Sequence, residues 1–261
     1  LEGLDANGEP VVETASGADF VWTHTRGVYT SRRVFSQIDR VAFQDLIRVY
    51  RVRVATLDTT RLDVNTLLPL WSVALPSEHV DSLVALLSDP AHFWRANGIP
   101  ICSAEDANYD AGGTKGAGGV WTYWLTLLGE GLVETKHEEA AAELLKRLLK
   151  AQVAVLRSQK AFSEFYHSDE PLGVGEKGHL SGIVPLHLLL RVIGVRVISS
   201  HKVWTGGRFA WAEPVTVTQH GVRTRRTSEG TSILFPSGHT VTLPADAPWQ
   251  QVTDTPVQMS D

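Results

Sequence analysis

The stretch EEAAAELLKRLLKAQVAVLR, residues 138–157, decides the fold class that the sequence predicts. Its leucines and valines recur at intervals of three and four residues, which places them on one face of an amphipathic helix. A second helix is predicted directly before it, over residues 121–133. Similar spacing predicts the remaining helices, which cover residues 38–52, 63–75, 78–89 and 180–194. The sequence therefore predicts an all-α body.

The pattern changes near residue 200. From residue 195 onward, short segments of alternating polar and apolar residues are separated by turn residues, a pattern that predicts β-hairpins. We therefore expect a helical domain over residues 1–200 and a small β-hairpin appendage over residues 201–261. Residues 1–33 are polar and glycine-containing and are predicted to be irregular, and residues 97–119 are predicted to form a long glycine-rich loop.

Composition excludes several classes of protein. The formal net charge is −5 and there is no basic run, which argues against binding of nucleic acid. Cys102 is the single cysteine, and no H-E-x-x-H motif is present, so neither a disulfide framework nor a metal site is expected. No apolar stretch approaches the ~20 residues of a membrane span, and the first ten residues do not resemble a signal peptide. We therefore favour a cytoplasmic protein. Because the sequence begins with Leu1 and not with Met, we expect a processed product or a fragment.

Two loops combine carboxylates, aromatic side chains and glycines. One contains Glu13 and Asp19, and the other contains Glu164, Asp169 and Glu170. Aromatic rings pack against the C–H groups of sugars, and carboxylates accept hydrogen bonds from sugar hydroxyls. Two carboxyl groups also supply the acid and the base that hydrolysis of a glycoside requires. Capping or surface roles for Asp19 and Glu164 are the alternative, because the chain has 29 acidic residues.

Five segments in order resemble the (α/α)6-barrel glycoside hydrolases, the group of trehalase, mannosyl-oligosaccharide glucosidase and mannosylglycerate hydrolase. Ser16-Gly17-Ala18-Asp19 resembles the family motif E-S-G-x-D, and FSEFYHSDEPLG (162–173) resembles the family segment W-E-x-Y followed by Pro-Gly. The other similar segments cover residues 65–110, 118–132 and 179–195. The resemblance implies an (α/α)6 toroid of the six-hairpin glycosidase type. Six helical hairpins are needed for that toroid and only about six helices are predicted, so we expect residues 1–200 to be its C-terminal part, with the N-terminal half missing.

The resemblance also implies a mechanism and a set of site residues. Asp19 would be the general acid and Glu164 the general base of an inverting hydrolase that acts on an α-glucoside or α-mannoside, with the carboxyl groups about 6.5–9.5 Å apart. To keep its proton near neutral pH, Asp19 would need a raised pKa. No cofactor or metal is implied. The residues expected to bind substrate are Trp22, Lys115, Trp121, Tyr166 and His167.

Two alternatives remain open at this point. The chain could be a catalytically incomplete barrel fragment that binds carbohydrate or packs against a partner chain, in which case an oligomer or a separate N-terminal barrel half is expected. It could also be another (α/α)6 enzyme, a lyase or an epimerase. The pair of carboxylates disfavours that second alternative, because those enzymes rely on tyrosine, histidine, asparagine or arginine.

Overall fold

The chain folds as two units, Leu1–Leu57 and Asp58–Asp261. The structure is a computed structural model that describes residues 1–5, 7–45, 48–54, 61–72, 75–113, 117–183 and 185–254. Its content is about 28% helix and 27% strand.

The first unit is built from short strands. They are β1 (Glu2–Leu4), β2 (Pro10–Val12), β3 (Val21–Thr23), β4 (Arg26–Val28) and β5 (Gln37–Arg40). β1 lies between β2 and β5 in one antiparallel sheet, and β3 pairs with β4 as a hairpin. Gly3 faces Ile38 across the sheet, where an added Cβ would lie 2.0 Å from the carbonyl oxygen of Gln37. Glycine is therefore required for this close pairing.

The second unit begins with helices. They are α1 (Val64–Leu67), α2 (Pro69–Ser72), α3 (Ser77–Leu87), α4 (Thr122–Glu134), α5 (Glu138–Gln159) and α6 (Leu186–Ile193). α5 buries Leu144, Leu145 and Leu148 against α4, in the core of this unit. Acidic Glu138 and Glu139 in its first turn complement the positive end of the helix dipole. Among the described residues, no helix combines the length and apolar character needed to cross a bilayer.

Antiparallel sheets make up the rest of the second unit. Its strands are β6 (Ser163–Tyr166), β7 (Gly173–Lys177), β8 (Val195–Ser199), β9 (Lys202–Thr205), β10 (Val215–Gln219), β11 (Val222–Arg226), β12 (Gly230–Leu234), β13 (Thr240–Pro244) and β14 (Gln250–Thr253). β6 and β7 form a hairpin, β9 lies between β14 and β8, and β10 to β13 form a meander. A separate apolar core lies under the last two sheets and includes Val203, Val222 and Phe235.

One charged side chain, that of Arg226, is buried beneath these sheets, with only 1% of its surface exposed. Its guanidinium donates hydrogen bonds to main-chain carbonyls, namely those of Ile193 (2.7 Å), Gly194 (3.3 Å), Gly206 (2.8 Å), Gly207 (2.8 Å) and Ala245 (3.3 Å). Burial lowers the pKa of Arg226 from its usual value. Through one side chain, Arg226 ties the C-terminal end of α6 to two loops that are distant in sequence.

The predicted all-α toroid of the six-hairpin type is wrong. Within the described residues, the strands form five small antiparallel sheets alongside the helices, so the fold is mixed α/β. The predicted helix over residues 38–52 is also wrong: the segment begins with strand β5, and residues 41–45 and 48–54 contain no helix. Its apolar residues include Ile38, Val49 and Val52, whose β-branched side chains favour an extended backbone.

The other predicted helices are confirmed with changed bounds. In the described part of 63–75 the helix is two single turns, α1 and α2, and in the described part of 180–194 the α-helix is α6. α3, α4 and α5 begin and end within two residues of the predicted limits. The β-hairpins predicted from residue 195 are present. The domain boundary near residue 200 stays a prediction.

Candidate functional site

Glu164 lies on the β6–β7 hairpin at a β-bulge. The pairing of β6 with β7 shifts register between Ser163 and Phe165, and this shift interrupts the alternation of side chains along the strand. One carboxylate oxygen, Oε2, accepts a hydrogen bond from the main-chain N–H of Glu176 (3.2 Å). Gly175 has φ +77°, and a Cβ there would lie 2.5 Å from the same oxygen. The bulge and the glycine thus set the direction of the half-buried Glu164 side chain.

Aromatic rings surround this part of the hairpin. Val120 exchanges two main-chain hydrogen bonds with Tyr166 (2.8 and 3.0 Å), which holds the start of α4 beside β6. The Trp121 ring consequently stacks on Phe165, with ring centroids 4.9 Å apart and planes at 12°. The edge of Tyr123 meets Trp121 at 5.5 Å. Burial raises the pKa of the Tyr123 hydroxyl, and the nearby charge of Glu164 raises it further.

Tyr166 points the other way, into the core. Its side chain has no exposed surface, and its hydroxyl donates to the carbonyl oxygen of Gly182 (2.7 Å). The side-chain amide of Gln152 donates to the same oxygen (2.8 Å). The structure therefore gives Tyr166 a role in joining β6 to the segment before α6, away from solvent and from a substrate.

His167 follows β6 and is partly exposed. Its Nδ1 accepts hydrogen bonds from the main-chain N–H groups of Asp169 (3.1 Å) and Glu170 (3.0 Å), so the ring hydrogen of the neutral form is on Nε2. Gly112 of the glycine-rich loop lies close to the ring, because a Cβ there would be 2.8 Å from Cδ2 of His167. His167 thus presents its Nε2 side beside a loop whose backbone can approach a ligand.

The loop after β6 is held by residues that the sequence analysis missed. Arg95 binds the carboxylate of Asp169 through Nε (2.9 Å) and Nη2 (3.0 Å), and Asn97 donates to the carbonyl oxygens of His167 (2.9 Å) and Glu170 (2.6 Å). Although burial acts to raise it, the pKa of Asp169 is lowered by Arg95. No motif in the sequence marks Arg95 or Asn97, because they lie about 70 residues before the loop they bind.

Asp19 belongs to the first unit and ends a short 3-10 helix, Gly17–Asp19. Its carboxylate accepts hydrogen bonds from the N–H (2.7 Å) and the hydroxyl (2.8 Å) of Ser16, and it forms an ion pair with Arg32. The hydrogen bonds from Ser16 and the charge of Arg32 lower the pKa of Asp19. These contacts therefore favour the carboxylate form of Asp19, whereas the resemblance to glycoside hydrolases implied a raised pKa for this residue.

Trp22 lies just after Asp19, with 53% of its surface exposed. Its Nε1 donates to the carbonyl oxygen of Gly17 (3.0 Å), and its ring stacks on Phe20 at 5.6 Å. These two contacts hold a flat apolar surface in solvent beside the loop that contains Asp19. Lys115, the remaining predicted site residue, lies outside the described residues.

Glu13 is the most strongly bound carboxylate of the first unit. It accepts hydrogen bonds from the hydroxyls of Ser31 and Tyr29 and from the N–H of Arg32 (2.8 Å). These bonds, that from Ser31 above all, lower the pKa of Glu13 from 4.5 to about 2. Glu13 therefore has a structural role in the first unit, tying β2 and the residues after it to the segment 29–33.

We expect the first unit to lose stability in acid through Glu13. A lowered folded pKa contributes stability above the unfolded value, and this contribution is lost as the pH falls from 4.5 to about 2. NMR signals from Leu1–Leu57, followed from pH 6 to about 2, should show this loss, and Glu13→Gln should reduce the pH dependence to the part that comes from Asp19. Glu9→Gln, which changes an exposed glutamate of the same unit, is the control. A native unit that is equally stable across that range would contradict the prediction.

The candidate residues thus fall into two sets. Asp19 and Trp22 belong to the unit Leu1–Leu57, while Trp121, Glu164, Tyr166 and His167 belong to the unit Asp58–Asp261. Within the second unit, the structure brings Glu164 next to the aromatic side chains and directs Tyr166 away from them. In the part of the chain that the structure describes, no group of three or more His, Cys, Asp or Glu side chains is placed to hold a metal ion.

Comparison with solved structures gives a distant match. A structure described as a sialidase has a TM-score of 0.52 and 10% sequence identity to this chain, and the match covers 74% of this chain. The chain spans only 20% of the length of that protein. At this sequence identity, the match indicates a similar fold and nothing about activity. No curated protein matches the chain.

A match to a known protein family identifies the family of the chain. Residues 14–179 match the family described as the mannosylglycerate hydrolase MGH1-like glycoside hydrolase domain. The matched region includes Asp19 and Trp22 of the first unit, as well as Trp121, Glu164 and His167 of the second, and it covers more than half of the chain. This chain therefore belongs to the MGH1-like glycoside hydrolase family.

Proposed function

We propose that the chain is an inverting glycoside hydrolase acting on an α-glucoside or α-mannoside, with Glu164 as general base and Asp19 as general acid. Membership of the family implies a carbohydrate substrate. The observation that carries the proposal is the setting of Glu164, whose carboxylate is aimed by a bulge and a glycine and whose charge acts on Tyr123, the neighbour of Trp121. Oε2 of Glu164 accepts the N–H of Glu176, and no basic side chain among the described residues forms an ion pair with Glu164, so we assign the contact with the water molecule to Oε1.

The proposed reaction is a single displacement. Glu164 takes a proton from a water molecule while the water oxygen forms a bond to the anomeric carbon. The bond from that carbon to the leaving oxygen breaks on the opposite face, and Asp19 supplies the proton that this oxygen needs. Trp121 and Trp22 offer ring faces for a sugar, and His167 offers its Nε2–H as a hydrogen-bond donor. Lys115 remains proposed from the sequence resemblance alone.

The acid role places a condition on Asp19. Because the hydrogen bonds from Ser16 and then the charge of Arg32 lower its pKa, Asp19 can act as the acid only in a complex in which substrate replaces these contacts and shields the carboxyl group from water. The same observation favours a second candidate function, in which the chain binds carbohydrate without turning it over. The two candidates differ in whether sugar is released.

Sugar release by the 261-residue chain distinguishes these candidates. The substrates are trehalose, kojibiose, nigerose, mannosylglycerate and glucosylglycerate, and NMR identifies the first anomer formed. We expect the β-anomer of glucose or mannose from one of these α-linked substrates. Release of the sugar of mannosylglycerate or glucosylglycerate, whose leaving group has no anomeric carbon, first as its α-anomer would contradict inversion, while binding of a substrate without release by a folded chain would favour the second candidate.

Asp19→Asn tests the acid role. The variant cannot donate a proton, so turnover of a glycoside with an alcohol leaving group should fall by about 10²–10⁴-fold. Turnover of an α-glycosyl fluoride, whose leaving group needs no protonation, should remain within about tenfold of the native rate. Asp39→Asn is the matched control in the same unit. Equal losses on both substrates would remove the acid role from Asp19.

A further inference from the structure

A concave surface in the second unit is lined mostly by residues that the family match does not cover. A cavity of about 680 Å³ opens between helices α4 and α6 and the three-stranded sheet of β8, β9 and β14. Most of its lining residues come after residue 179, where the family match ends. The volume falls within the range of small-molecule sites. All of these elements belong to the second unit, and the proposed reaction uses none of the residues that line the cavity.

The strand register determines what this cavity contains. Val197, Val203 and Val252 lie side by side on the inner face of the sheet, where they join an apolar core. Because side chains alternate along a strand, the neighbouring row of Arg196, Trp204 and Gln251 lies on the outer face and lines the cavity. Directly paired side chains on one face are about 5 Å apart. A cation, an indole ring and an amide therefore form one continuous row.

Two tryptophans give the cavity exposed aromatic walls. Trp204 is 40% exposed and Trp249 is 38% exposed. Trp249 packs closely over the main chain of Gly206 and Gly207, because a Cβ at Gly206 would lie 2.4 Å from its Cα and one at Gly207 would lie 2.8 Å from its Nε1. Exposed, fixed indole faces are the surfaces against which sugar rings pack through their C–H groups. Both tryptophan side chains therefore keep surface that a ligand can contact.

The charge of the cavity is positive although the whole chain carries −5. Arg191 is paired with Glu134, the single carboxylate in the lining. No carboxylate of the described residues forms an ion pair with Arg196, Lys202 or Lys136. Unpaired cations around a concave surface favour an anion, and tryptophan beside them favours a ring with apolar faces.

We infer that this cavity binds an anionic carbohydrate, a pyranose that carries a carboxylate or a phosphate. The ring lies against Trp204 and Trp249, the anionic group lies near Arg196 and Lys202, and the Gln251 amide bonds a hydroxyl. The site is distinct from the Glu164 region, and it does not depend on the proposed hydrolysis.

Ligand-observed NMR titration of the 261-residue chain tests the inference. The probes are D-glucuronate, D-glucose 6-phosphate and uncharged D-glucose. We expect one or both anionic sugars to bind at least about tenfold more tightly than D-glucose, with affinity falling as salt is added. The two anionic probes distinguish a carboxylate ligand from a phosphate ligand.

Variants locate the binding. Trp204→Ala and Arg196→Gln should each weaken the anionic sugar by about tenfold, while Trp71→Ala and Arg223→Gln, which change an exposed tryptophan and an exposed arginine elsewhere, should not. Glu164→Gln should also leave this binding unchanged, which separates it from the proposed catalytic function. Far-UV circular dichroism and thermal unfolding check that the variants are folded. Equal affinity for D-glucose, no saturable binding of any probe, or binding that survives both Trp204→Ala and Arg196→Gln would overturn the inference.

Discussion

Glu164→Gln is expected to lower kcat by about 10²–10⁴-fold, the usual contribution of a general base. The amide keeps the size and shape of the carboxylate, and its oxygen can still accept the hydrogen bond from the N–H of Glu176. It cannot take a proton from water. The side chain should therefore stay in place while the chemistry is lost, so sugar binding should remain close to that of the native chain.

The measurement is kcat on the best substrate found, together with direct calorimetric titration of that substrate. Glu176→Gln is the matched control, because it makes the same change on the paired strand at an exposed position, and it should retain near-native kcat. If Glu164→Gln kept near-native kcat, Glu164 would not be the base. If binding fell together with kcat, the loss would instead indicate a disturbed hairpin.

The second large effect concerns Arg226. Replacing it with alanine is expected to lower the free energy of unfolding by about 3–5 kcal/mol, because buried carbonyl groups lose their donors and a cavity is left behind. Arg226→Lys should recover only part of this loss, since an ammonium group cannot reproduce the planar fork that bonds carbonyls on several segments.

Urea unfolding followed by circular dichroism measures this effect. Arg223→Ala is the control, because Arg223 lies on the same strand with its side chain exposed and should change stability by less than about 0.5 kcal/mol. If Arg226→Ala lowered the free energy of unfolding no more than Arg223→Ala does, water would be satisfying the main-chain carbonyl groups when the guanidinium is absent.

The sequence predicted the parts of the fold that have strong local signals. α4 and α5 are long and apolar on one side, and the hairpins after residue 195 alternate regularly, so their periods could be recognised. The first unit could not be recognised in this way. Its strands are three or four residues long, too short to show a period, and the spacing of Ile38, Val49 and Val52 resembles a helix although the pairing partner of β5 is β1, more than 30 residues away.

The candidate site was predictable to a similar degree. The resemblance to glycoside hydrolases made Glu164 and Trp121 candidates, which they remain, and the family match confirms that the domain is of the glycoside hydrolase kind. The opposite directions of Glu164 and Tyr166 were not predictable, because residues two apart on a regular strand share a face and only the bulge separates them. The pKa of Asp19 is lowered first by hydrogen bonds from Ser16, whose geometry the motif does not specify, and further by Arg32, which lies 13 residues after Asp19 and outside the motif.

The glycine at position 175 has a consequence for comparing this chain with others. The aim of Glu164 depends on a neighbour that has no side chain and that adopts a left-handed backbone conformation. A homologous chain with a larger residue at the position of Gly175 would therefore keep the glutamate, but its carboxylate would be displaced from the direction seen here. We therefore expect catalytically active homologues to have both the glutamate and the glycine, and inactive homologues to lack one of them. A comparison of acidic residues alone would not detect this difference.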